Sequence, residues 1–201
     1  MSAVAHIDEY KKGTFYTEEF RGAMSWNGYE NNNLFRGDGV AEDGIPRFTD
    51  VGMVLGADDN RDARGLAVFD YDHDGDLDIA VNHGPGDNDD FERQKVVLYR
   101  NEIGASRSWL LVELQGTRSN PEGLGAVVTV VADGQQQSRL RSAGSSFASQ
   151  HSSWLHFGLG ENESVELLTV HWPSGLIEEF ANVEARQRIR LVEGEGKPTK
   201  S

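Results

Sequence analysis

Five carboxylates stand on alternate positions in the stretch Asp70-Tyr71-Asp72-His73-Asp74-Gly75-Asp76-Leu77-Asp78. Alternate side chains of a tight loop converge on one point, and hard oxygen ligands converging there are what Ca²⁺ requires. In this reading Asp70, Asp72 and Asp74 each supply a carboxylate oxygen, Gly75 takes the sharp turn, Asp76 offers its backbone carbonyl and Asp78 closes the shell. Without a cation, five acids so close together repel one another.

The flanks say what kind of loop this is. Leu66-Ala67-Val68-Phe69 before it and Leu77-Asp78-Ile79-Ala80-Val81 after it are short, apolar and partly β-branched, which predicts two strands joined by the metal loop. An EF-hand shares the opening spacing but needs a Glu at loop position twelve and a helix on either side. Position twelve here is Val81.

The acidity is local. Residues 50–92 hold twelve Asp and one Glu against Arg61 and Arg64, which accounts for eleven of the chain's fourteen net negative charges. That balance argues against nucleic acid or an anionic membrane surface as partner, because phosphates would be repelled. With no cysteine, disulfides and thiolate metal sites are excluded. Met1–Tyr10 has no apolar leader core and no run approaches a membrane span, so the chain as written is expected to be soluble and unexported. Removal of a signal peptide would make it extracellular or periplasmic, and its location stays open.

The elements that must position the loop follow from the remaining pattern. Residues 1–33 are polar with scattered aromatics and read as an arm or cap; 34–101 form the calcium-binding segment. After Asn101, strand signals recur at Trp109–Leu114, Ala126–Val131, Gln137–Arg141, Trp154–Leu159, Val165–Trp172, Leu176–Phe180 and Ile189–Val192. Seven short strands with turn residues between them predict an antiparallel β-sandwich or open barrel over 102–193, of which the sandwich is adopted, followed by a tail at 194–201. Leu110, Val112 and Leu114 alternate with Glu113 and Gln115, and Ile189 and Leu191 with Arg188 and Arg190, so each strand is expected to have a dry face and a wet one. The fold class is all-β.

Two resemblances rest on motifs in this chain. The Asp70–Asp78 spacing with its trailing Asp78-Ile79-Ala80-Val81, preceded by Leu34-Phe35-Arg36-Gly37-Asp38-Gly39 and Arg47-Phe48-Thr49-Asp50-Val51, resembles the calcium loop and hairpin of FG-GAP repeats, the blades of integrin-type β-propellers. Ser119-Asn120-Pro121-Glu122-Gly123-Leu124-Gly125-Ala126, Gly144-Ser145-Ser146-Phe147-Ala148-Ser149-Gln150, His156-Phe157-Gly158-Leu159-Gly160 and Trp172-Pro173-Ser174-Gly175 follow the order of motifs in the ASPIC/UnbV domain. Arg21–Asn31 is similar to the sequence of short bacterial members, so the chain resembles the cartilage acidic protein-like family that joins these two parts. The resemblance implies a partial propeller-like sheet packed on a sandwich, with Ca²⁺ as a mainly structural ion. About one and a half repeats cannot close a propeller of four or more blades. The exposed edges must then be covered by the rest of the chain or by a second subunit, and a homo-oligomer is expected.

Two functions remain open. One is a non-catalytic recognition or assembly module for a small-molecule, glycan or protein ligand. The other is a calcium-dependent enzyme of bacterial specialised metabolism, a non-canonical terpene- or polyketide-type cyclase with an acidic and aromatic cleft. Its candidate catalytic residues are Glu30, Asp58 and Asp59, and its candidate ligand-binding residues are Trp26, Tyr29 and His83. Asp58-Asp59-Asn60-Arg61-Asp62 and Asp87-Asn88-Asp89-Asp90 carry the letters of terpene-cyclase acid motifs, but outside the long helices those enzymes use. No Gly-x-Ser-x-Gly elbow, Walker loop or dinucleotide fingerprint appears. Ser149-Gln150-His151 and Trp172–Gly175 sit at strand ends, where they either line a groove for sugar or peptide or simply shape turns around a structural Trp.

Overall fold

The computed structural model describes residues 31–61, 63–83 and 96–199. Thirteen strands run in chain order: β1 Phe35–Val40, β2 Pro46–Asp50, β3 Ala63–Phe69, β4 Asp78–His83, β5 Val96–Tyr99, β6 Ser108–Gln115, β7 Val127–Ala132, β8 Gln135–Leu140, β9 Leu155–Gly160, β10 Ser164–His171, β11 Ile177–Glu184, β12 Gln187–Val192 and β13 Lys197–Pro198. One helical turn, α1 Gly52–Leu55, and a 3₁₀ turn, Gly104–Ser106, complete the described elements. The strand orders are β1-β2, β13-β11-β10-β7-β8, β12-β6-β9 and β3-β4-β5. All seven strands expected beyond Asn101 are present, and the fold is nearly all β.

The chain forms two compact units, one of residues 1–65 and 80–99, the other of residues 66–79 and 100–201. The acidic loop therefore belongs with the sandwich rather than with the β1-β2 hairpin. In the first unit β1 and β2 pair antiparallel from Phe35 opposite Asp50 to Val40 opposite Pro46. Asp50 ties the hairpin to α1: its Oδ1 accepts the Gly52 N–H at 2.9 Å, and its Oδ2 accepts the Asn33 side-chain amide at 2.6 Å.

The second unit is a two-layer sandwich. Leu110, Val112 and Leu114 of β6, Phe157 and Leu159 of β9 and Leu191 of β12 supply one inner face. Val128, Val130 and Ala132 of β7 and Val165, Leu168 and Val170 of β10 supply the other. Apart from Val165, which lies three residues before Leu168 where the β10-β11 register skips Glu166, these are the alternate positions that a period of two places on one side of a strand, and each fully buried Leu, Val or Phe contributes about 1.5–3 kcal/mol against unfolding. Asp133 and Gly134 join β7 to β8 with φ of 48° and 69°, the left-handed pair of a two-residue type I′ hairpin turn. One pairing departs from an antiparallel sandwich, since β12 runs parallel to β6, Gln187 opposite Leu110 through Val192 opposite Gln115. A parallel neighbour requires a crossover, and the chain between β6 and β12 supplies it, with β7, β8, β10 and β11 in the other sheet and β9 returning to pair with β6.

Two buried carboxylates lock the loops at one end of this sandwich. Glu178 accepts the N–H groups of Gly194 and Gly196 at 3.0 and 2.7 Å. Glu193 accepts those of Thr117, Arg118 and Ser119 at 2.9, 2.7 and 2.7 Å, together with the Ser119 and Ser174 hydroxyls. Burial by itself would raise the Glu193 carboxyl; the three N–H donors and the Ser174 hydroxyl outweigh it and hold the pKa at about 2. Part of the expected tail is thereby built into the fold, with β13 paired to β11.

Candidate metal centre

Arg188, Leu111 and His156 lie side by side across β12, β6 and β9, on the opposite face from Leu110 and Val112. The alternation predicts a wet face there, yet Leu111 is only 2% exposed. The acidic loop bonds to the residues on either side of it. Arg188 Nη2 donates to Asp70 Oδ2 at 2.6 Å and also lies 2.6 Å from His73 Nδ1. His156 Nε2 lies 2.9 Å from the Gly75 carbonyl; since a carbonyl only accepts, Nε2 carries the proton. Burial pushes the His156 imidazole below its usual range, which keeps it neutral in this role.

Gly75 rests on Trp109 of β6. Its φ is +98°, and a Cβ placed there would fall 1.8 Å from the indole Cε2. Only glycine combines that backbone with so close an approach. A Cβ at Gly104 would lie 2.5 Å from the Asp76 Cβ, so the 3₁₀ turn also packs directly against the loop. The loop is held as well by its own acids: Asp78 Oδ2 accepts the Tyr71 N–H at 2.7 Å and Asp78 Oδ1 accepts the Asn101 N–H at 2.8 Å.

The structure brings the carboxylates of three of the expected aspartates together. Carboxylate oxygens of Asp70, Asp72 and Asp78 all lie within 4.8 Å of one another. Asp74 turns Oδ1 to the Asp76 N–H at 3.0 Å, and the Asp76 side chain is buried. Asp70 is 4% exposed at its side chain; Arg188 and the Gly75 N–H satisfy its Oδ2, while its Oδ1 is buried with no hydrogen-bond partner. A buried carboxylate oxygen without a donor costs free energy that a cation would recover. Among the described residues, the positive charges paired with these acids are Arg188 on Asp70 and Arg100, whose Nη1 is 3.5 Å from Asp72 Oδ2. Three oxygen donors of one sign, one of them stranded, fit a hard divalent cation.

The other candidates fall elsewhere. Trp26, Tyr29, Glu30, Asp62 and the acids at 87–90 lie outside the described residues. In the first unit Asp59 grips Arg61, with Oδ1 2.8 Å from Nε and Oδ2 against Nη2, and this pairing draws its carboxyl down to about 2. Asp58 precedes it, half-buried, and His83 ends β4 as a buried residue. His171 is exposed between buried Val170 and Trp172, as the alternation requires.

Ser149 and His151 do a job that their sequence motif does not announce. Ser149 Oγ accepts the Leu66 N–H at 3.2 Å and donates to the Leu66 carbonyl at 2.7 Å. His151 Nδ1 accepts the Val68 N–H at 3.3 Å, and the Ser152 N–H reaches the Val68 carbonyl at 3.0 Å. Side chains thus finish the backbone pairing of β3 just ahead of the loop. Arg188, Leu111, His156 and Trp109 are the residues that sequence reasoning missed, and the only trace of them was an outward row on three strands.

The protein family described as ASPIC and UnbV matches residues 116–198, most of the sandwich. Cartilage acidic protein 1 of Xenopus tropicalis is 28% identical over 176 residues, 87% of this chain and 26% of that protein. The protein of the same name from Mus musculus is 28% identical over 159 residues, 79% of this chain and 23% of that protein. That from Homo sapiens is 31% identical over 112 residues, 55% of this chain and 16% of that protein. The chain spans about a quarter or less of the length of these relatives.

Proposed function

We propose that this chain is a calcium-stabilised recognition module: one Ca²⁺ held by Asp70, Asp72 and Asp78 fastens the acidic loop, and the sandwich beneath presents a binding surface without making or breaking bonds. The observation that carries this reading is Asp70 Oδ1, buried and without a hydrogen-bond partner beside oxygens of two further aspartates. The resemblance of the loop to FG-GAP calcium loops supports it. So does the lack of cysteine, which leaves packing and ions as the available staples. When bound, the ion supplies charge neutralisation. The protein's own residues do the rest: Arg188 and the Gly75 N–H orient Asp70, the Tyr71 and Asn101 N–H groups orient Asp78, and Trp109 seats the turn.

A cyclase would draw on Trp26, Tyr29 and Glu30, outside the described residues, and on Asp58 and Asp59, of which Asp59 is committed to Arg61. No described residue favours that alternative.

Thermal melting in excess calcium and in chelator tests the proposal. A hundredfold excess over Kd adds about 2.7 kcal/mol, which for a chain of this size is a rise of roughly 5–11 °C. Asp72→Asn is the informative variant, because Asp72 is 30% exposed at its side chain and its replacement leaves the packing intact. It is expected to fold and to lose the calcium increment. Identical melting with calcium and with chelator would sink the reading.

A further inference from the structure

An open pocket of about 610 Å³ lies in the second unit, walled by the end of β6, by Pro121 and Glu122, and by Arg141, Gln150 and Arg190. Its size falls within the roughly 300–1,000 Å³ range of small-molecule sites. The lining is dominated by planar polar groups, with Leu114 and Pro121 as its apolar wall.

Arg141 is the unusual member. Its side chain is 3% exposed, yet among the described residues its carboxylate partner is Glu122 at 3.2 Å, and the Glu122 side chain is itself 67% exposed. Nη1 donates to the Ser142 carbonyl at 2.7 Å, while Nε is buried with no hydrogen-bond partner. A guanidinium taken out of water is normally paired at closer range than this. By contrast Arg190, largely exposed, holds Glu113 at 2.6 Å. The pocket thus has one under-compensated cation in its wall, covered by an exposed acid of the protein's own.

We propose that this pocket binds a carboxylate-bearing sugar, a uronic acid unit, with Arg141 as the anion anchor and Glu122 as an internal stand-in that the ligand's carboxylate displaces. Arg141 presents a fork of donors that matches a carboxylate in two parallel hydrogen bonds. Around it Glu113, Gln115, Gln150 and Ser153 offer both donors and acceptors for hydroxyl groups. Glu113 and Glu122 limit the ligand to one negative charge, since a second would face a carboxylate. Leu114 and Pro121 give a C–H face something apolar to lie on. Gln150 belongs to the strand-end motif that the sequence offers as a sugar or peptide groove.

The inference deepens the recognition reading but uses none of the loop acids, so the two are tested apart. Amide chemical shifts of the full chain are followed with sodium glucuronate, glucose and acetate, in calcium and in chelator. Glucuronate is expected to give saturable shifts at 114–116, 141 and 150 with a Kd on the order of 1 mM, with glucose and acetate each about tenfold weaker or more. Glu122→Gln is expected to tighten glucuronate binding severalfold, because it removes the competitor, whereas Gln150→Ala weakens it severalfold. A merely structural salt bridge would not give the first of these signs. Arg141→Lys keeps the charge but loses the fork, and is expected to weaken glucuronate by about tenfold or more where its melting matches the parent. Equal binding of glucuronate and glucose, binding of acetate alone, no saturable shift, or a Glu122→Gln variant that binds no better would each overturn the assignment. Glucuronate binding unaffected by chelator supports the pocket whatever the fate of the calcium loop.

Discussion

Replacing Gly75 by alanine tests whether the acidic loop is seated on the sandwich. Two costs add at this position. The backbone φ of +98° is one that an L side chain rarely adopts, which costs about 1–2 kcal/mol. The new Cβ would also meet Trp109 Cε2 and Nε1 at 1.8 and 1.9 Å, where carbon atoms normally stop at about 3.5–4.0 Å. The indole or the turn must therefore move, and such overpacking costs about 1–3 kcal/mol. The sum is about 2–5 kcal/mol, a fall in Tm of roughly 4–20 °C at about 2–4 °C per kcal/mol. Gly134→Ala serves as the control, since Gly134 has a φ of +69° but nothing within 4 Å of the place its new methyl group would take. It carries the backbone cost alone, about 1–2 kcal/mol. Differential scanning calorimetry of the two variants in chelator separates contact from strain. If Gly75→Ala melts no lower than Gly134→Ala, the loop does not sit on Trp109 and the platform is wrong.

Arg188→Met is expected to lower Tm in chelator, because Asp70 loses its 2.6 Å counter-cation. It is also expected to enlarge the calcium-dependent rise in Tm, because an ion would no longer share Asp70 with a guanidinium; an unchanged calcium increment would refute this. Glu193 has its pKa depressed from 4.5 to about 2 in the folded chain, so its contribution, at most about 3 kcal/mol at about 1.36 kcal/mol per pKa unit, is complete above pH 4.5 and is lost as the pH falls toward 2. Urea titrations of parent and Glu193→Gln across that window are expected to converge at the acid end; parallel curves would remove Glu193 as the acid-sensitive group.

Much of this molecule could be read from local patterns because those patterns are local physics. Alternation marks a strand through the pleat, and so Trp109–Leu114 and Ile189–Val192 were legible. The spacing of Asp70, Asp72 and Asp78 likewise picked out three acids that do converge. The Asp74 carboxylate accepts the Asp76 N–H and the Asp76 side chain is buried beside the 3₁₀ turn, two contacts that the spacing does not show.

The strands, the dry faces of the sandwich and the place of the acidic loop between two apolar runs were thus settled by neighbours in the chain. What lies on the outer face of β12-β6-β9 was not. A period of two says that a strand has two sides and cannot say what covers the second one. Arg188 and His156 become partners of the loop only because β12 pairs parallel with β6 and β9 antiparallel with it, which sets residues 111, 156 and 188 in one row. The same holds for Arg141 and Glu193, whose charges look ordinary in the sequence. Their burial is the work of long-range pairing, which brings Glu122 to the one and the Thr117–Ser119 N–H groups to the other.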